Sequence, residues 1–438
     1  MISGRGKWLR SAAIIGLSHL CLSTVSLRCL AEEAIRHSLP RRNEIMSEAT
    51  AETGATKGIS FPIDVTSEVL GNFSGGTRQT AIWESLWIGG VAVDFEKACG
   101  VRGLSLAING LYAQGSGLTD KAVHDFNTLS NIDAYDSIRL YDAWLQQEFG
   151  DGRFSIRIGQ LLADAEFFVS DYGEVFMNSS FGAIPLVSGN FNPPIFPVAA
   201  PGVRLRAMPN ESFYAEVAAF SGDVGDPATN NKHNTRFSFP AMDGMLIFAE
   251  AGYTHDAQNS SDDSSPKGQP ADAAVPRGLS GSYKIGGCYD SGQFAATNGL
   301  SAHHNNYSIY FIAQQELWHP DFTDRALSAF ARIGFAPENR NTVTFYLDTG
   351  LNFRGPISSR PEDILALGFS YVKLSQELRD ENNHHFPNHH EAVLELTYSA
   401  AVNSHLSIQP DLQCIIDPGA LHSSHTAVVA GLRFNVKF

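Results

Sequence analysis

The chain has 438 residues, with 46 acidic against 31 basic side chains, a formal charge of −15 at pH 7, 43% hydrophobic residues and 39 glycines. That acid excess argues against a nucleic-acid partner, and no stretch beyond the first 31 residues is continuously apolar for the ~20 residues that a spanning helix needs. A membrane protein without apolar helices has to be a closed barrel, because lipid cannot satisfy the polar groups of an open sheet edge.

At the amino terminus, Arg5, Lys7 and Arg10 precede an apolar run from Ser11 to Leu27, and Cys29-Leu30-Ala31 offers small residues where a signal peptidase cuts. Residues 1–31 therefore read as a cleaved secretory signal. The run is too short for an anchor helix, and Arg28 beside Cys29 does not suit lipidation. Removing the four cations of this segment leaves 27 basic residues against the 46 acidic ones. Of five cysteines, Cys99, Cys288 and Cys414 remain, an odd and widely spaced set that reads as isolated thiols rather than a disulfide framework or metal site. Residues 32–60, rich in charge, Ala, Ser and Thr, show no periodicity and read as a mobile periplasmic leader.

From Phe61 to Phe438 the chain reads as a barrel domain of alternating runs. In order these are Phe61 to Phe73, Ile82 to Phe95, Val101 to Gln114, Tyr135 to Phe149, Gly152 to Leu162, Gly202 to Met208, Ser212 to Ser221 and Gly244 to His255. Then come Gly278 to Ser291, Asn306 to Trp318, Arg325 to Pro337, Thr342 to Arg354, Ile364 to Leu374, Glu391 to Val402, Ser404 to Ile416 and His425 to Phe438. Most have the ~9 to 11 residues of a tilted spanning strand, and an even total suits a single-chain barrel. The predicted fold is all-β: a transmembrane antiparallel up-and-down β-barrel of about sixteen strands. With both termini periplasmic, short connectors such as Gly150-Asp151, Pro209-Asn210-Glu211 and Asn403 fall on the periplasmic side, and the long ones fall outside. The exception is Asp256 to Arg277, a long polar connector expected to be a periplasmic insertion.

Two hairpins can be registered from their side chains. Pairing Phe149 with Gly152 puts Glu148 beside Arg153, Gln146 beside Ser155 and Trp144 beside Arg157 on the inner face. A three-residue turn at Pro209-Asn210-Glu211 pairs Arg206 with Tyr214 and Arg204 with Glu216 inside. A one-residue slip would put arginines in lipid at roughly 2 to 4 kcal/mol each near the midplane. In the last run, Val428, Ala430, Leu432, Phe434, Val436 and Phe438 share one side, with Arg433, Asn435 and Lys437 on the other. Its aromatic carboxy-terminus resembles the assembly signal of bacterial outer-membrane barrels, and because strand sixteen must close against strand one, Phe61 to Phe73 is its expected partner.

Several segments spread over the mature chain resemble the carbohydrate-selective porins of Gram-negative outer membranes. They include Phe154-Ser155-Ile156-Arg157-Ile158-Gly159-Gln160, Asn178-Ser179-Ser180-Phe181-Gly182 and Ala199-Ala200-Pro201-Gly202-Val203-Arg204-Leu205. Glu250-Ala251-Gly252-Tyr253, Phe330-Ala331-Arg332-Ile333-Gly334, Arg360-Pro361-Glu362-Asp363 and Gln409-Pro410-Asp411-Leu412-Gln413 follow in the family's order. None is specific alone; the ordered set is. The resemblance implies a sixteen-stranded barrel passing mono- and oligosaccharides passively through a weak binding site. Its implied surroundings are outer-membrane lipid and lipopolysaccharide, with assembly by the barrel-assembly machinery as a monomer or trimer. Cys288 departs from the bulky aromatic more usual in the family.

A sugar presents hydroxyls that donate and accept and an apolar ring face, so a selective pore needs polar side chains in a ladder and an aromatic surface. On the inferred inner faces Trp144, Arg157, Arg204, Arg206 and Glu216 supply both; either they contact sugar or they neutralise one another and stiffen the wall. The connector Ala163 to Pro201 is too long for an ordinary loop. Porin architecture implies that this third external loop folds inward, bringing Asp164, Glu166, Phe167, Phe168 and Asn178 to the channel; the other placement is a lid over the mouth. The pairs His303-His304, His384-His385 and His389-His390 fall in polar loops and read as solvated, and no metal or cofactor is expected. No nucleophile elbow or phosphate loop is present. A general or anion-selective porin, an outer-membrane hydrolase and a soluble secreted β-protein are the competing readings.

Overall fold

A strand with one apolar and one polar face needs lipid on one side and water or polar loops on the other, and closing the sheet removes its edges. The computed structural model describes residues 57–115, 117–225, 230–238, 244–255, 279–297, 301–320, 323–377, 389–420 and 425–438. The signal, most of the leader, the 256–277 connector and His384-His385 lie outside these described residues.

A two-residue strand β1 (Ile59–Ser60) precedes sixteen barrel strands. These are β2 (Ile63–Gly76), β3 (Thr80–Asp94), β4 (Leu104–Gly115), β5 (Ser137–Phe149), β6 (Phe154–Leu161), β7 (Ala200–Asn210), β8 (Phe213–Ser221) and β9 (Met245–His255). They continue as β10 (Gly281–Ala295), β11 (Ala302–Trp318), β12 (Ala326–Phe335), β13 (Val343–Arg354), β14 (Ile364–Leu374), β15 (His390–Ala401), β16 (Leu406–Ile416) and β17 (His425–Lys437). Every neighbour is antiparallel, and β17 pairs with β2 to close the barrel. At the seam Arg433 lies opposite Glu68, 2.5 Å from its carboxylate, and Phe438 exchanges main-chain hydrogen bonds with Ile63. Pairing with the barrel already occurs before Phe61, because Ile59 and Ser60 of β1 lie opposite Val93 and Ala92 of β3.

Outward residues such as Leu145, Ile158, Val203, Leu205 and Val217 are exposed, as a lipid face requires, while Arg204, Glu216, Glu250, Arg332, Glu395 and Arg433 on the other face are buried. Exposed Phe149, Phe154, Phe213, Tyr253 and Phe438 ring the periplasmic rim, the usual level of an aromatic girdle.

Both hairpin registers differ from expectation by two residues, which preserves the faces and changes the partners. Gly150, Asp151 and Gly152 all adopt left-handed φ, widening the first turn, so Glu148 opposes Ser155, Gln146 opposes Arg157 and Trp144 opposes Gly159. In the second, Asn210 Oδ1 accepts the N–H groups of Ser212 and Phe213, tightening the turn to Glu211-Ser212 beyond an irregularity at Ala207. Arg206 therefore opposes Glu216, and Arg204 opposes Ala218. His303 and His304 belong to β11, not to a loop, because the β10–β11 ladder continues past an irregularity at Asp290.

Candidate functional site: the loop-lined constriction

The third external loop, residues 162–199, runs inside the barrel. A coil buried there has main-chain donors and acceptors that need partners, and the inward-facing wall supplies them. Glu250 on β9 accepts the Phe168 N–H at 3.0 Å, together with the hydroxyls of Tyr310 and Tyr214. Glu395 on β15 accepts from the N–H groups of Met177 and Asn178 at 2.6 and 3.0 Å. The loop's carbonyls turn to Arg332 on β12, which donates to Phe168, Gly182 and Ser180 at 2.8, 2.9 and 3.1 Å. Arg332 is in turn held by both carboxylate oxygens of Asp348 on β13, a pair that is almost wholly buried. Apolar contacts complete the docking: the Phe176 and Phe181 rings stand 4.4 Å apart, against Phe330. Beneath them lie Gly350 and Gly368, where an added Cβ would sit 2.5 Å from Phe330 and 2.7 Å from Phe176.

The second external loop also enters the lumen, which sequence reasoning missed. Glu391 on β15 accepts the N–H groups of Phe126 and Asn127 at 2.6 and 2.8 Å, and that of Gly419 at 2.6 Å. The two loops bond to each other, Asn131 N–H to the Met177 carbonyl and Ser179 N–H to the Thr128 carbonyl. Leu118, Val123 and Leu129 of the second loop are buried with Leu70, Val393 and Val429 of the wall. That apolar content was the available signal, since a water-exposed loop has no use for it.

Six expected site residues converge beside β5–β8. Arg157 lies 2.7 Å and Arg204 2.5 Å from the Glu166 carboxylate. The Arg157 guanidinium sits 4.2 Å from the Trp144 ring centroid, and Gln146 Oε1 accepts from both arginines at 2.9 Å. Arg206 stands 3.9 Å from Glu216. Burial alone would raise the pKa of Glu166, but Arg157 and Arg204 hold its carboxyl below the usual range. Phe167 and Phe168 are buried against Phe248, and Asn178 spans from Ser180 to Gln413. Asp164 accepts the Phe196 N–H at 3.0 Å.

Between the two loops and the walls of β2–β5 and β15–β17 lies a cavity of about 520 Å³, within the ordinary span of small-molecule sites. Of the ten expected residues only Asp164 borders it; Asn109, Tyr141, Asp142, Asn127, Asn131, Asp133 and Phe196 are among the others that do. In the second loop Asp133 is pushed up to about 6 by burial and by Asp120 and Glu68, with Lys121 opposing. Asp125 is raised by burial and by Glu391.

A closed sixteen-stranded barrel with two loops stitched into its lumen is an outer-membrane porin. The profile of the carbohydrate-selective porin, OprB family, matches residues 82–438, and the chain belongs to that family. Porin B of Pseudomonas aeruginosa is 22% identical over 423 residues, covering 87% of this chain and 88% of that protein. The high-pH structure of Pseudomonas putida OprB superposes with a TM-score of 0.75 at 21% identity, covering 87% of this chain and 94% of that one. The low-pH structure of the same protein gives 0.53 at 19% identity, over 87% and 93%. These likenesses carry the fold; the family makes the chain a channel of the outer membrane and not an enzyme.

Proposed function

We propose that the chain passes neutral mono- and oligosaccharides by passive diffusion through a water-filled lumen, slowed by a weak sugar site at the level of the third loop. The observation that supports this is the stitched loop itself: Glu250, Glu395 and Arg332 hold a chain segment across the lumen and leave a cavity bordered by carboxylates, amides and aromatic rings. Such a lining offers a sugar both hydrogen bonds and an apolar face. The cluster of Trp144, Arg157, Glu166 and Arg204 fixes the entry of that loop against β5–β7 and so sets the aperture.

Liposome swelling with a panel of sugars of graded size tests the reading, repeated with Arg157→Ala and Arg204→Ala. Uptake that departs from size order, and a departure that weakens in both variants, is expected. Uptake that follows solute size alone, and ignores both substitutions, would leave a pore without sugar selectivity.

A further inference from the structure

The ladder between β4 and β5 slips by one residue in mid-barrel. Asn109 pairs with Asp142 and Gly110 with Leu140, which makes Tyr141 the extra residue of a β-bulge. Such a bulge breaks the in-out alternation and re-aims a side chain. Here it puts two consecutive residues, Tyr141 and Asp142, on the lumen side; both are buried and both border the cavity. Asn109 donates to Asp142 at 2.6 Å, and this bond fixes the amide's orientation. Its Oδ1 is left without a protein partner on a residue 3% exposed. Across the cavity rim the third loop contributes Phe196, whose ring meets Tyr141 edge-on at 6.4 Å, and Asp164, which holds the Phe196 N–H.

We infer that Tyr141, Asp142, Asn109, Phe196 and Asp164 form a subsite for a neutral pyranose. The inference rests on the sugar-passage reading above and names the groups that recognise the sugar. Each has a distinct task. The Asp142 carboxylate accepts from sugar hydroxyls, and the Asn109 amide, whose Oδ1 is packed over Gly90, holds that carboxylate in place through its donated hydrogen bond. The electron-rich faces of Tyr141 and Phe196 suit the C–H face of the ring. Two carboxylates at one site also discriminate: a sugar acid brings a further negative charge into a cavity already bordered by acids and is disfavoured by like-charge repulsion. The cations that border the same cavity do not offset this: Arg332 and Arg433 are each paired with a carboxylate, Asp348 and Glu68, and with Lys437 they are outnumbered by Asp64, Asp133, Asp142, Asp164 and Glu174. Neutral hexoses should therefore occupy the subsite and uronates should not.

The test uses the full-length porin in planar bilayers, with glucose and glucuronate as probes of ion-current block. Wild type is expected to be blocked by glucose at a lower concentration than by glucuronate. Tyr141→Leu and Phe196→Leu are each expected to raise the half-blocking glucose concentration roughly three- to tenfold. Asp142→Asn is expected to narrow the difference between glucose and glucuronate. Heat-modifiable migration on gels shows which variants form the barrel, and Phe196→Leu, on a loop, leaves every wall ladder intact. If barrel-forming Tyr141→Leu and Phe196→Leu are blocked at the wild-type glucose concentration, the subsite is wrong while the sugar reading stands. If wild type is blocked by neither probe and swelling tracks size alone, the sugar reading fails and takes the subsite with it.

Discussion

Glu166 of the third loop stands 2.7 Å from Arg157 of β6, and the same carboxylate lies 2.5 Å from Arg204 of β7, so one acid ties two neighbouring strands to the loop that crosses their barrel. Removing that acid leaves a group of cations facing one another in a partly dehydrated wall, where breaking a buried pair costs more than the pair itself is worth.

Glu166→Gln is therefore expected to lower barrel stability by on the order of 3 kcal/mol at neutral pH. It should also raise open-channel conductance and shift selectivity toward anions. The Glu166 carboxyl is held below its ordinary 4.5, so its contribution is present above that value and is lost as pH falls through the lower folded value. Thermal melts of the detergent-solubilised protein at pH 7 and pH 3 should show the gap between wild type and variant closing in acid. A gap that is unchanged at pH 3 would mean that the carboxylate's charge is not what stabilises.

Asp133 predicts the opposite pH behaviour. Its carboxyl is raised from 3.8 to about 6, so the folded chain retains a proton that the unfolded chain gives up, and stability declines as pH rises between those values. Asp133→Asn should match wild type at pH 4 and be the more stable protein at pH 8, by on the order of 2 kcal/mol. Paired melts at the two pH values check both the sign and the window.

Gly368→Ala should loosen the third loop without touching it in sequence. The new Cβ would fall 2.7 Å from Phe176 and 2.8 Å from Phe181, and overpacking of this kind costs about 1 to 3 kcal/mol. Single-channel recordings should show larger or noisier conductance as the loop moves off β14. Unaltered conductance together with an unaltered melting temperature would show that the rings can give way freely.

Arg332→Lys should be more damaging than its conservation of charge suggests. A lysine cannot serve three loop carbonyls and grip Asp348 bidentately at once. Orphaned buried acceptors cost about 1 to 3 kcal/mol each. Limited proteolysis should find the third loop newly cleavable in barrels that still show heat-modifiable migration.

Much of this molecule was legible from residue order. The run Ile364 to Leu374 matches β14 at both ends, and most other strands fall within two or three residues of their expected limits. The inward placement of Arg157, Arg204 and Glu216 also follows from alternation alone, because a strand has only two faces and lipid claims one. Hairpin partners were less legible. They depend on turn geometry, and the left-handed residues of 150–152 and the Asn210 cap each moved the ladder by two places.

Compartment, strand number, the faces of the regular strands and the seam between the last strand and the first were determined by the sequence itself, since period-two alternation is a local property and a membrane sheet has to close. The lining of the passage was decided only in three dimensions. A bulge turned Tyr141 inward beside Asp142, and wall carboxylates more than two hundred residues away drew the second and third loops into the lumen. Those choices rest on unpaired main-chain groups finding partners across the barrel, and no spacing along the chain records which partner a buried N–H will meet.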